Sequence, residues 1–204
     1  MTTLILTRHG AVEGINPPRF RGRLDLHLTA RGEQQARRLG EVIAVRWKVD
    51  ALFSSPAWRC VATATCIGDA VGCPSKPLSG LLDISYGAWQ GLTHDEVRER
   101  WPDAWRMWRE APHLMAIPGA ETLQDVLARA TAALREVMAT WHNKTVVLVA
   151  HDSVNRVLLC HLLDVPLSRY AALAQDPCCI NVIELHDTRV VVRALNETQH
   201  LVTG

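Results

Sequence analysis

The chain has no large excess of either charge. Its 204 residues include 22 basic and 21 acidic ones, for a formal net charge of +1. That balance gives no reason to expect a nucleic-acid or membrane-surface partner. No stretch approaches the length of a membrane span. The opening MTTLILTRHG has no basic n-region and too short an apolar run for a signal peptide. The six cysteines (Cys60, Cys66, Cys73, Cys160, Cys178, Cys179) form no Cys-x-x-Cys pair and fit no zinc spacing. They read as reduced thiols of a cytoplasmic protein, with Cys178 and Cys179 as small apolar fillers. Internal repeats, low-complexity segments and a clear interdomain linker are also missing. What is left is an ordinary globular composition, 48% hydrophobic and 21% charged. A chain of this length buries a core without staples, as one large domain or one domain with a modest insertion.

The first half alternates strand and helix. Leu4 to Thr7 reads as a buried strand. TARGEQQARRLGEVIAVR, residues 29–46, reads as a helix with Thr29 as N-cap and Leu39, Val42 and Ile43 at i, i+3, i+4 spacing. DALFSS is a second short strand. Pro56 suits the first turn of the helix that follows, and Gly72 its end. This rhythm predicts an α/β fold, a mostly parallel sheet covered on both faces. Residues 93–119, rich in tryptophan, arginine and proline, break the rhythm and read as a broken helical insertion over one edge of the sheet. ETLQDVLARATAALREVMATW is then a long amphipathic helix. TVVLVA is a central strand buried on both faces, DSVNRVLLCHLL a helix, and INVIELHDTRVVVRAL an edge hairpin turning at Asp187-Thr188.

Ligands of an open parallel sheet bind beyond the carboxyl ends of its strands. Arg8 and His9 follow the first strand, Arg59 falls in the first turn after DALFSS, Asp83 lies in the loop LLDISYGAWQG, and His151 and Asp152 follow TVVLVA. Two guanidiniums in one pocket disfavour a dication and match the oxygens of a phosphate. A helix N-terminus nearby adds its positive end. With phosphate bound, a neutral imidazole can act as nucleophile, the arginines can spread charge on the equatorial oxygens, and a carboxylic acid can protonate the leaving alkoxide.

LTRHG, SSPAWRCVATA, LLDISYGAWQGL, PGAETLQDVLAR and VAHDSVNR stand in the order in which related segments occur in the histidine phosphatase superfamily, the phosphoglycerate-mutase-like clan. The resemblance covers nearly the whole chain. It implies a three-layer α/β/α sandwich, one histidine phosphatase domain over residues 1–204 with a lid-like helical insertion at 93–119. It implies a metal-independent phosphomonoester hydrolase that needs no cofactor and works on a small-molecule phosphomonoester through a phosphohistidine at His9. Arg8, Arg59 and His151 become the phosphate pocket, Asn16 a further phosphate contact, and Arg21 and Gly22 its rim. Asp83 becomes the proton donor. Many small members have Glu at that position, and in the acid-phosphatase branch the Asp after the second histidine donates, so Asp152 competes with Asp83. Two rivals stand beside hydrolysis: a phosphoglycerate-type mutase, a group that tends to be longer, with an extra basic clamp segment where this chain is short, and a phospho-ligand binding module without turnover. The sequence does not set an oligomeric state.

The remaining side chains have plainer readings. Asp152 reads as the N-cap of its helix. His161 packs on that helix, and His27, His94, His113, His142, His186 and His200 lie at the surface. Trp101, Trp105 and Trp108 read as local packing, with Arg100, Arg106 and Arg109 as candidates for selecting the rest of the substrate.

Overall fold

The computed structural model describes residues 1–15 and 17–202. Asn16 lies outside the described residues, and with it the further phosphate contact expected there. Six strands form one sheet: β1 (Thr2–Arg8), β2 (Ala51–Ser54), β3 (Ser75–Pro77), β4 (Thr145–Ala150), β5 (Ile180–Leu185) and β6 (Val190–Glu197). Their order is β3-β2-β4-β1-β5-β6. The first three neighbouring pairs are parallel, and β5 and β6 run antiparallel at one end. The expected edge hairpin is β5 and β6, closed where the His186 amide donates to the Arg189 carbonyl at 2.9 Å.

Side-chain alternation along the central strands builds the three layers. Leu4 and Leu6 of β1 and Val146 and Leu148 of β4 face one core, shared with the helices α5 (Leu123–Thr140) and α6 (Asp152–Leu162). Ile5, Val147 and Val149 face the other, shared with α1 (Ala30–Arg46) and α2 (Trp58–Val71). Every one of those strand residues is 0% exposed. A strand that is apolar on both faces has to be covered on both faces, so the continuous run TVVLVA already dictates the sandwich.

The helix boundaries follow from local chemistry. Thr29 caps α1 by accepting from the Gly32 amide at 3.1 Å. Gly72 closes α2 in the left-handed conformation, φ 67°. Pro56 sits outside α2, which begins at Trp58 with Ala57 as N-cap. Pro56 therefore belongs to the turn leading into the helix. Asp152 is also placed differently from the sequence expectation. The N-cap of α6 is His151, and Asp152 is the first helical residue, ion-paired with Arg156 one turn on. There it still complements the helix's positive end.

Residues 93–119 form α3 (His94–Arg100), α4 (Pro102–Glu110) and a single 3-10 turn. They cover a third apolar cluster of Phe20, Trp89, Val97, Met115 and Ile117, against which Trp105 and Trp108 pack. Trp101 stays at the surface.

Candidate active site

In the parallel pairing of β1 with β4, Arg8 stands opposite Ala150, and the His9 amide donates to the Ala150 carbonyl at 3.1 Å. His9 and His151 therefore leave neighbouring strands at the same height, their ring centroids 5.3 Å apart. The turn after His9 is pressed against the start of α1. A Cβ on Gly10 would stand 2.5 Å from the Gly32 carbonyl oxygen, so only glycine fits there.

His9 is 2% exposed. Its Nδ1 lies 2.7 Å from the Gly10 carbonyl oxygen, which can only accept, so Nδ1 carries the proton of the neutral ring. Nε2 is left as the acceptor, and its lone pair takes a hydrogen bond from the Nε–H of Arg59 at 3.3 Å. Burial holds the His9 pKa well below its ordinary 6.5, with His151, Arg8 and Arg59 adding to the depression. The ring is neutral, with the Nε2 lone pair accepting from Arg59.

Arg59, the second residue of α2, is 0% exposed. Its guanidinium donates to the carbonyls of Leu24 and Gly22 at 2.8 and 2.6 Å, and to Asp83 Oδ2 at 3.1 Å. The Asp83 carboxylate also accepts from the Ile84 amide at 2.9 Å and from the Ser153 hydroxyl. Burial pushes the Asp83 pKa up. His151, Arg59 and these two hydrogen bonds together outweigh it and bring the net value below the ordinary carboxylate range. Asp83 is ionised in these surroundings. His151, 0% exposed, has Nε2 2.8 Å from Ser55 Oγ and Nδ1 3.6 Å from Asp83 Oδ2. Burial, partly offset by Asp83, and the nearby arginines lower its pKa to about 3.

Arg8 is 6% exposed and donates to the Gln175 carbonyl at 2.5 Å, while its Nε has no hydrogen-bond partner among the described residues. Behind Gln175 lies a buried amide network. The Asn155 side chain donates to Gln175 Oε1 at 3.1 Å, and Gln175 Nε2 donates to Asn181 Oδ1 at 2.9 Å. Arg21 and Gly22 line the cavity above, and Gly22 takes φ +47° to fit under Gln90, Ile84 and Tyr86.

That cavity encloses about 490 Å³. Arg8, Arg19, Arg21, Arg109 and Arg156 line it, against only two carboxylates, Asp83 and Asp152. His9, His151 and Arg59 are buried and do not line it; Arg59 and His151 reach it through Asp83, and His9 touches Arg59. Trp108 also forms part of its wall, alongside its packing role. Arg100 and Arg106 are not at the cavity. They pair with Glu96 and Asp103 on the solvated side.

Sequence reasoning missed several residues here. Ser153 holds Asp83, yet a serine two places after a histidine carries no signal of its own. His94 is half-buried in the cavity wall against Phe20 and Trp105, not at the surface. His161, expected to pack, is exposed. His27 and His142 are exposed as expected, whereas His113, His186 and His200 are half-buried.

The architecture is that of a known solved structure, Bacillus stearothermophilus YhfR, which superposes with a TM-score of 0.93 at 30% identity over 99% of this chain and 100% of that one. A mycobacterial glucosyl-3-phosphoglycerate phosphatase solved with VO3 follows at 0.88 and 28% identity, over 96% of this chain and 99% of that one. The family model of the histidine phosphatase superfamily (branch 1) matches residues 4–198. The chain belongs to that superfamily and is a hydrolase of phosphomonoesters. Among its relatives, phosphoserine phosphatase 1 of Hydrogenobacter thermophilus is 35% identical over 98% of this chain and 95% of its own length. Glucosyl-3-phosphoglycerate phosphatase of Mycolicibacterium vanbaalenii is 33% identical over 83% and 78%. No helix among the described residues is long and apolar enough to cross a membrane.

Proposed function

We propose that His9 Nε2 attacks the phosphorus of a small phosphomonoester, with Asp83 protonating the departing alkoxide. The observation that carries this reading is the fixed tautomer of His9, whose Nδ1–H is tied to the Gly10 carbonyl and whose Nε2 lone pair faces Arg59. As the P–N bond forms and the P–O bond breaks, Arg8 and Arg59 neutralise charge on the equatorial oxygens, with the neutral His151 beside them as a hydrogen-bond partner and Arg21 at the rim. Water then attacks the phosphohistidine, Asp83 takes its proton, and inorganic phosphate leaves.

The cavity also bears on the substrate. Arg19 stands 3.8 Å from Glu96, and Arg156 is paired with Asp152. Among the described residues, Arg109 has no carboxylate within ion-pair distance. A cationic side chain in the cavity wall suits a substrate with a second anionic group. Phosphoserine and glucosyl-3-phosphoglycerate, for which the relatives are named, both carry a carboxylate beside the phosphate.

The test is turnover of an aryl phosphate with and without a strong chelator, for the parent and for His9→Ala, together with labelling by a phosphoryl donor. Chelator-resistant turnover that disappears in the variant, along with the label, supports the assignment. Undiminished labelling of His9→Ala would overturn it.

A further inference from the structure

We infer that Arg129 and Glu121 are positioning residues for the proton donor, clamping the loop that carries Asp83 to α5. The inference rests on the reading of Asp83 as that donor. Residues 82–86 belong to neither helix nor strand, so their backbone groups must find partners elsewhere. Arg129 supplies partners for two of their carbonyls and for a third, that of Gly80, just before them. Its guanidinium donates to the carbonyls of Gly80, Leu82 and Asp83 at 2.8, 2.6 and 3.2 Å. Glu121 holds Arg129 in place, with Oε1 2.9 Å from Nε and Oε2 3.1 Å from the terminal nitrogen. The same Oε2 accepts from the Ser85 amide at 2.9 Å, and the Glu121 amide donates to the Ser85 carbonyl at 2.9 Å.

Two more contacts give the clamp its fixed position. A Cβ on Gly80 would stand 2.5 Å from the Ala133 Cβ, so the loop already lies directly on α5. Arg23 reaches across from the other side, donating to the Asp83 carbonyl at 3.3 Å and pairing with Glu121 at 3.2 Å. Its neighbour Gly22 accepts from Arg59. The backbone of the proposed donor and the guanidinium that faces its carboxylate are thus set by one connected group of charges.

An aspartate side chain is short, so its carboxyl group goes where its backbone goes. Three carbonyl oxygens converging on one place repel one another without the guanidinium between them. Replacing Arg129 by methionine keeps the aliphatic packing and releases those carbonyls. The loop then moves, and Asp83 loses its alignment on Arg59 and on the leaving oxygen. A misplacement of about 1 Å costs on the order of a hundredfold in rate.

The measurement is kcat/KM for two substrates, glycerol 3-phosphate and 2,4-dinitrophenyl phosphate. The alkoxide of the first needs a proton to leave, and the phenolate of the second does not. kcat/KM reports the first phosphoryl transfer, and the ratio of the two substrates cancels any loss of folded protein. Asp83→Asn serves as reference and should depress the alkyl-to-aryl ratio by about a hundredfold or more. Arg129→Met is expected to depress it in the same direction by about tenfold or more, with Arg129→Lys recovering part and Glu121→Gln falling between. If Asp83→Asn collapses the ratio while Arg129→Met and Glu121→Gln leave it within about twofold, the clamp is refuted and the donor stands. If Asp83→Asn leaves the ratio unchanged, the donor assignment fails and the clamp with it. Should Arg129→Met not fold, Glu121→Gln decides alone.

Discussion

Two buried neutral imidazoles make this fold sensitive to mild acid. His9 is 2% exposed and His151 is 0% exposed, and both titrate well below the ordinary 6.5, His151 at about 3. A histidine whose folded pKa is depressed contributes stability that is present above its unfolded pKa and lost as pH falls below it, because only the unfolded state then takes up the proton. Between about pH 7 and about pH 5, the His151 ring, which stays neutral in the folded state, therefore costs about 2 kcal/mol, and His9 acts in the same direction. His94 and His200, half-buried and also depressed, act in the same direction. Asp83 does not enter this window, since its depressed pKa matters only below the ordinary carboxylate range. Against a total stability of about 5–15 kcal/mol, the loss is large. Urea unfolding followed by tryptophan fluorescence at the two pH values should show it, and His151→Gln should remove about 2 kcal/mol of it. A parent unfolding free energy that changes by less than about 1 kcal/mol would refute the picture of two neutral buried rings.

Two further outcomes separate neighbouring residues. Gly10→Ala places a methyl group against the Gly32 backbone, which should lower stability by about 1–3 kcal/mol. Because His9 is the adjacent residue, activity should fall by more than the loss of folded protein explains, and a fully active, equally stable variant would contradict the close approach. Asp83→Asn should reduce kcat on alkyl phosphates by about 10²–10⁴-fold, and Asp152→Asn by at least about tenfold less, because Asp152 is engaged by Arg156. The reverse order, measured by steady-state kinetics, would transfer the proton donor's role to Asp152.

Much of the fold was legible because its signals are local and strong. The run Val146–Ala150 must be buried on both faces, and the periodicity of α1 and α5 and the glycine closing α2 needed no tertiary knowledge. The placement of Arg8, His9, Arg59, Asp83 and His151 followed from the rule that parallel strands deliver side chains to one edge. What stayed hidden depends on partners distant in sequence. Asp152 has the right residue type for an N-cap, and only the course of the backbone makes His151 the cap instead. His94 shows no sign in the sequence of lying beneath Trp105. Glu121 and Arg129 sit inside a recognisable motif, yet their contacts with residues 80–85 exist only once the loop has folded back on α5. Hydrogen bonds to backbone carbonyls leave no mark on the sequence of the residues that accept them.

The state of Asp83 constrains where the leaving group's proton comes from. Asp83 is ionised while Arg59, His151 and Ser153 surround it, so in these surroundings it has no proton to give. A phosphomonoester has its second ionisation near about 6, so close to neutrality part of the substrate arrives as a monoanion with its own proton. On the proposed mechanism, the phosphate oxygens take the guanidinium of Arg59 that now faces the carboxylate. The loss of that cation and the arrival of a second anion both raise the Asp83 pKa. The proton then moves from phosphate to carboxylate. That leaves a dianion, which the arginines match best, beside a neutral acid, which the departing alkoxide requires. On the proposed mechanism, the ion pair between Arg59 and Asp83 has to be exchanged for contacts to substrate before Asp83 can act as an acid.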